Sequence, residues 1–255
     1  MVIRDSGGVL TYKSGVMKLT RGKLLKGQDW TDWREFEWKQ PGRYNEQGLF
    51  GEPVEIVPKK TLFRLVWTYN VEALDKQKTA CCVCAGLVRA GHVRILDYTY
   101  AGRVNHTSSR MFYAVMAADN MMLYGVDITN AFGDALPPKQ GIHILPVRAF
   151  REWWTWHKGR EPIPEGHVIP VLTAMQGHPE ALRLWAKHAY KIIKKLDLKH
   201  TGHKPCLYLG IYKGSRVLLK QRVNNFEIAT EDPRVVDIVF GEGFAIQRGG
   251  CATDA

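Results

Sequence analysis

The stretch Cys206–Thr230, CLYLGIYKGSRVLLKQRVNNFEIAT, holds three apolar runs separated by two short polar breaks. Glycine and asparagine tolerate left-handed backbone, so Lys213-Gly214-Ser215 and Asn224-Asn225 read as tight hairpin turns. Three short runs joined this way make an antiparallel meander. Immediately upstream, EALRLWAKHAYKIIKKLDL repeats Leu182, Trp185, Ala189, Ile192 and Leu196 at intervals of three and four, with Arg183, Lys187, Lys191, Lys194 and Lys195 largely on the other side. That is an amphipathic helix with a basic face. Hairpins together with separate helices, in place of regular βαβ alternation, give the fold class α+β, with the helices expected on one side of the sheet.

The same reading extends toward the N-terminus. DWTDWREFEWKQ (29–40) reads as a short amphipathic helix capped by Asp29 and packed through Trp30, Trp33 and Phe36, followed by turn-rich RYNEQGLFGEPVE. TLFRLVWTYNVEAL and ACCVCAGLV read as paired strands, with a loop around Asp75 to Lys78. In NHTSSRMFYAVMAADNMMLYG (105–125) the first residues form a cap, and Met111, Val115, Ala118 and Met122 lie at helical spacing. LYGVDITNAF follows as a short strand carrying one carboxylate, Asp127. RAFREWWTWHKGREPIPEG is aromatic and basic and reads as a surface insertion, and HVIPVLTAMQG as a strand closed by a glycine turn. After about residue 230 the pattern fades.

Composition narrows the function. The 255 residues carry a formal net charge of +11, which favours an anionic partner, most often nucleic acid. No apolar run approaches the ~20 residues that cross a bilayer, and the N-terminus lacks the apolar core of a signal peptide. An intracellular protein with no membrane span is expected. Of the five cysteines, Cys81, Cys82 and Cys84 cluster. Cys81-x-x-Cys84 has half the spacing of a zinc site, but no second pair follows, and cysteine also packs as a small hydrophobe in a buried strand. The histidines are scattered without a nucleophile pattern.

Taken in order, these blocks resemble the reverse transcriptase domain of copia-type retrotransposons. LVWTYNV and TACCVCAG resemble the paired finger strands. TYAGRVNHTSSRMFYAVMAADNMMLYGVDITNAF resembles the long helix and catalytic strand. AMQGHPEALRLW resembles the glycine turn with its following helix, and KPCLY resembles the block before the catalytic hairpin. The resemblance implies a right-hand polymerase, with fingers and a palm whose antiparallel sheet is backed by helices, over residues 28–230. Residues 1–27 are then an N-terminal extension, 231–255 an unmatched and disordered tail, and the thumb is absent. It also implies DNA synthesis on an RNA or DNA template, with an RNA template and a DNA primer as the family's partners, by phosphoryl transfer at two Mg²⁺ ions. Such a pair, roughly 4 Å apart, activates the primer hydroxyl and stabilises the leaving pyrophosphate, and hard cations need carboxylate oxygens.

The family supplies three carboxylates. Asp127 matches the first and is the expected metal ligand. Ala131 and Phe132 would border the incoming sugar, and Gly177 and Arg183 match the template-side turn and helix. Where the hairpin should read tyrosine-Val-Asp-Asp, this chain has Arg222-Val223-Asn224-Asn225. Asn224 and Asn225 offer neutral carbonyls, so two negative charges are gone and Mg²⁺ binding should be weak or lost. Cys81 occupies the place of a nucleotide-gripping arginine, a bidentate clamp that a thiol does not replace, though Lys78 or Lys76 lies near. Leu182 takes a proline position. A catalytically dead polymerase is therefore expected. The alternative is a non-catalytic nucleic-acid binder using the basic helix and REWWTWHKGR for phosphate contacts and stacking, although Trp153, Trp154 and Trp156 read equally well as residues that cover core.

Overall fold

Among the described residues, two six-stranded sheets, a separate two-stranded hairpin and six α-helices organise the chain. The computed structural model describes residues 2–5, 8–11, 16–56, 58–72, 78–89, 104–128, 130–139, 141–157, 159–202, 204–241 and 246–247. In chain order the elements are β1 (Val2–Asp5), β2 (Gly8–Thr11), β3 (Val16–Leu19), α1 (Arg21–Leu24), α2 (Trp30–Glu46), β4 (Val54–Glu55), β5 (Thr61–Glu72), β6 (Lys78–Arg89), α3 (His106–Ala118) and β7 (Met122–Ile128). They continue as β8 (Ile142–Leu145), α4 (Arg148–Glu152), β9 (His167–Val171), α5 (Ala181–Lys195), β10 (Lys199–Thr201), β11 (Lys204–Tyr212), β12 (Ser215–Arg222), β13 (Asn225–Thr230), α6 (Pro233–Gly241) and β14 (Ile246–Gln247). The chain divides into a first unit, Met1–Arg94 with Pro137–His178, and a second, Ile95–Leu136 with Pro179–Ala255. Among the described residues no helix is long and apolar enough to cross a membrane.

In the first unit the sheet order is β3-β5-β8-β9-β4, with β6 on the remaining side of β5. Strand β5 pairs with β8 in parallel, so this sheet is mixed. The long β5–β6 pair is the one expected from the sequence; its connecting residues 73–77 lie outside the described residues, as does Lys76. Helix α2 outruns the expected end at Gln40 and passes straight through Pro41. Proline has no N–H, so the Glu37 carbonyl loses its helical donor. The Trp67 indole N–H of β5 donates to that carbonyl instead, at 3.2 Å. Burial of Pro41, Gly42 and Tyr44 then holds the helix to Glu46, an example of packing overriding local propensity. Asp29 precedes the helix without a side-chain capping bond; its carboxylate faces Lys78 at 3.6 Å.

The segment expected as a surface insertion is core. Trp153 and Trp154 are 0% and 1% exposed, within a π-helical turn at Trp153–His157, and they pack with Phe150 and Phe50. Arg151 donates to the backbone carbonyls of Pro146 and Ile163, and Arg160 lies 4.1 Å over the Trp154 ring. Only Trp156 of the three tryptophans faces solvent. Apolar aromatic mass outweighed the local run of charges.

The second unit's sheet runs β10-β11-β12-β13-β7-β14, all pairs antiparallel. The meander read from Cys206–Thr230 is its centre. Helix α5 lies on the face carrying Tyr208 and Gly210: the Tyr190 ring stacks on Tyr208, and Leu198 just beyond the helix sits against Gly210. Its buried residues are Ala181, Trp185, Ala189 and Ile193, with Leu196 behind them, close to the expected stripe. Helix α6 joins the same face through Phe240 against Phe226, so the expected tail is corrected at Pro233–Gly241, where Val235, Val239 and Phe240 are buried. Residues 248–255 lie outside the described residues.

Helices are not confined to one side. Helix α3 packs on the opposite face, through Phe112 and Met116 against Leu207, Leu218, Ala229 and Leu123. Its phase also differs from the expectation: Met111, Val115 and Met122 are exposed, whereas Ser108 and Phe112 are buried. Both stripes have helical spacing, and spacing alone does not choose between them. The Asn105 cap is as expected, its side chain accepting from the Ser108 N–H at 2.8 Å. The Lys220 ammonium, 5% exposed, bridges α3 to the sheet. It donates to the Tyr113 hydroxyl at 2.8 Å, pairs with Glu227 at 2.6 Å and sits 4.2 Å from the Tyr113 ring.

Candidate functional site

Strand alternation sets the geometry of the second unit's site. Val126 and Ile128 point into the core, so Asp127 between them points out on the α3 side of the sheet. In the β13–β7 register Asn225 lies directly opposite Asp127. Directly opposed side chains have Cβ atoms about 4.5–5.5 Å apart. Asn224 reaches the same carboxylate from the turn, its amide donating to Asp127 Oδ1 at 2.7 Å and to the Ile128 carbonyl at 3.3 Å. The Asn225 amide donates weakly to Asn224 Oδ1 at 3.5 Å. Asp127, Asn224 and Asn225 thus form one corner.

The turn is shifted by one residue from the reading Asn224-Asn225. Arg222 pairs with Asn225, which makes Val223-Asn224 the two-residue loop. Val223 has φ of 60°, an outlier for a β-branched residue. Such strain costs of order 1–3 kcal/mol and persists only where the surroundings impose it. Here the Val223 carbonyl accepts from the Trp185 indole N–H of α5 at 2.8 Å and from the Gln221 amide at 3.2 Å. The Asn224 carbonyl accepts from the Ile128 N–H at 2.9 Å. The loop is therefore clamped to α5 on one side and to β7 on the other. Composition gave no hint of the Val223 strain; Trp185 was visible as part of the apolar stripe, but its indole role was not.

Burial pushes the Asp127 carboxyl up from its ordinary value. A raised carboxyl contributes stability only below its ordinary value and loses it as pH rises through the folded one, so the ionised Asp127 is a cost at neutral pH. A two-Mg²⁺ centre does not fit these donors. One carboxylate faces the pair, and its Oδ1 already accepts from the Asn224 amide, whose N–H side is aimed at it by a second acceptor. Among the described residues no group of three His, Cys, Asp or Glu side chains is gathered for a metal.

The other candidates are engaged elsewhere. Ala131, 1% exposed, and half-buried Phe132 begin a 3₁₀ turn, Ala131–Asp134, that packs on α5. Arg183 pairs with Glu180 one turn earlier at 2.8 Å. In the first unit, Lys78 pairs with Asp32 at 3.1 Å and lies 5.6 Å from the Trp33 ring. Cys81 is half-buried, and burial raises its pKa, the reverse of what a reactive thiolate needs. Its neighbours Cys82 and Cys84 are fully buried strand residues. Gly177 has φ of +90°, and a Cβ there would meet the Cys84 carbonyl oxygen at 2.1 Å, so the turn approaches β6 as only glycine allows. The outer edge of β6 is satisfied by the Gln40 side chain at the Cys82 N–H and by the Gln176 carbonyl at the Cys84 N–H.

No protein-family model matches the chain, and no curated protein matches it in sequence.

Proposed function

We propose that this chain is a reverse-transcriptase-like domain of the copia type, with fingers and palm, whose two-metal site has lost two of its three carboxylates. The ancestral partners are an RNA template and a DNA primer, inside the cell, and the ancestral cofactor is Mg²⁺. The observation that carries the reading is the corner itself. The hairpin residues where the family has aspartates are Asn224 and Asn225, and both meet Asp127 on the adjacent strand of an antiparallel sheet. The first unit's long β5–β6 pair and Gly177 turn agree with the blocks resembling the fingers.

The chemistry argues against activity. Four positive charges from a metal pair would face one carboxylate, and the orientation of the Asn224 amide opposes a cation at Asp127 Oδ1. Primer extension on poly-rA with oligo-dT should give no product above a protein-free control, in Mg²⁺ or in Mn²⁺. Templated extension with either ion would overturn the loss of activity.

A further inference from the structure

We infer that the solvent face of α5 is a docking surface for the phosphate backbone of single-stranded nucleic acid, separate from the Asp127 corner. Lys187, Lys191, Lys194 and Lys195 are all exposed. At 100° per residue they fall within about 100° of helix circumference, opposite the buried Trp185, Ala189 and Ile193. Four-residue steps advance about 6 Å, so the row spans about 12 Å along the axis. Exposed Lys199 on β10 extends it. Among the described residues none of these five lysines forms an ion pair. Lysines elsewhere in the chain do find carboxylates: Lys78 has Asp29 and Asp32, and Lys220 has Glu227.

The field of this row is felt by its neighbour. Burial lowers the pKa of His188, Asp134 on the 3₁₀ turn raises it, and Lys191 and Lys195 lower it again. Glu180 at the helix N-terminus, Asp134 and the exposed Asp197 border the helix; Glu180 pairs with Arg183, and none of the three breaks the lysine row. The surface also lies on the far side of the sheet from the Asp127 side chain, because α5 packs on the Tyr208 face and Asp127 points to the α3 side.

The occupant follows from chemistry. Protein interfaces are depleted in lysine at their centres. A membrane-surface helix needs its apolar face free, and here that face is buried against the sheet. A phosphate backbone matches a row of cations on one helix face. Tyr190 stands beside the row, 37% exposed and 5.6 Å from the His200 ring, as a stacking platform that a base can use. The inference rests on charge and exposure and stands or falls apart from the polymerase reading.

Fluorescence anisotropy with the full chain and labelled 20-mers of rU and dT, between about 50 and 200 mM salt, tests it. Five phosphate contacts predict a slope of log K against log salt of about −3.5. K187Q/K191Q/K194Q/K195Q should bring the slope to about −0.7 and weaken binding at 0.1 M salt by on the order of 500-fold. The corresponding four Lys→Arg changes should keep the slope. Tyr190→Ala should weaken binding about 10-fold with the slope unchanged. Four neutralised lysines in the first unit, K23Q/K26Q/K39Q/K59Q, should change affinity less than about threefold, because those side chains lie outside the surface. Unaltered affinity and slope in the α5 variant would overturn the assignment. So would poly-glutamate or phosphatidylserine vesicles that compete as well as the oligonucleotide.

Discussion

Arg21→Met should destabilise the protein by about 3–5 kcal/mol, the cost of leaving a buried charge without its partner. The Arg21 guanidinium donates to Glu37 at 2.7 Å and to Glu152 at 2.6 Å, and the Glu37 side chain is 0% exposed. Burial alone would lower the pKa of Arg21; the hydrogen bonds to Glu37 and Glu152 outweigh it and raise it. With methionine at 21, the Tyr69 hydroxyl, at 2.7 Å, remains as a donor to Glu37. A neutral donor does not offset a buried carboxylate. The double variant Arg21→Met, Glu37→Gln should recover most of the loss, since glutamine removes the charge and keeps an acceptor for Tyr69. Urea denaturation of the three proteins measures both numbers. Glu152 adds a pH signature. Burial raises its pKa, but Arg148 and then Arg21 hold it below the ordinary carboxylate value. Its stabilisation is therefore present above that value and is lost as pH falls through the lower folded one.

Trp185→Ala should cost about 3–5 kcal/mol and should loosen the hairpin as well as the core. The indole is 1% exposed, stacks 5.7 Å from the His188 ring and donates to the strained Val223 carbonyl at 2.8 Å. Truncation opens a cavity beneath the sheet and releases one of the two donors that hold the Val223 peptide. Trp185→Phe separates the two effects. It keeps most of the packing and loses the hydrogen bond, for an expected cost of about 1–2 kcal/mol. Amide exchange at Asn224 and Asn225 should speed up in both variants, while β11 and β12 remain protected in the phenylalanine form. Equal protection of the tip in all three proteins would mean that Trp185 does not clamp it.

What could be read from the residues followed from periodicity, and what could not followed from contacts across sequence. The Cys206–Thr230 meander, the β5–β6 pair, the Asn105 cap and the α5 stripe all depend on neighbours within a few positions, and each has its counterpart in the structure. Helix α2 runs beyond the expected end at Gln40 although Pro41 is a local stop signal, because the bond from Trp67 that rescues it is long-range. The phase of α3 differs from the expected one because two apolar stripes compete, and burial of Phe112 chooses between them. The charge of the segment around Trp153 and Trp154 points to the surface and its aromatic residues point to the core; the core reading holds for these two, and Arg151 and Arg160 serve those aromatics and the nearby backbone. In the site, the sequence singled out Asp127, Asn224 and Asn225, whose convergence is a matter of strand register. It missed Val223 as the strained residue, because backbone angles at a turn tip depend on how its ends are held.

The proposed loss of two carboxylates from a metal site at the Asp127 corner can be reversed by substitution. Thermal unfolding with and without Mn²⁺, for the natural chain and for Asn224→Asp/Asn225→Asp, reads this directly. Without metal the double variant should be the less stable, because three carboxylates would crowd one corner. Mn²⁺ at a hundredfold excess over its dissociation constant should then stabilise it by about 2.7 kcal/mol, against less than about 0.5 kcal/mol for the natural chain at the same concentration. A variant indifferent to Mn²⁺, or a natural chain stabilised as strongly as the variant, would contradict the proposed metal site.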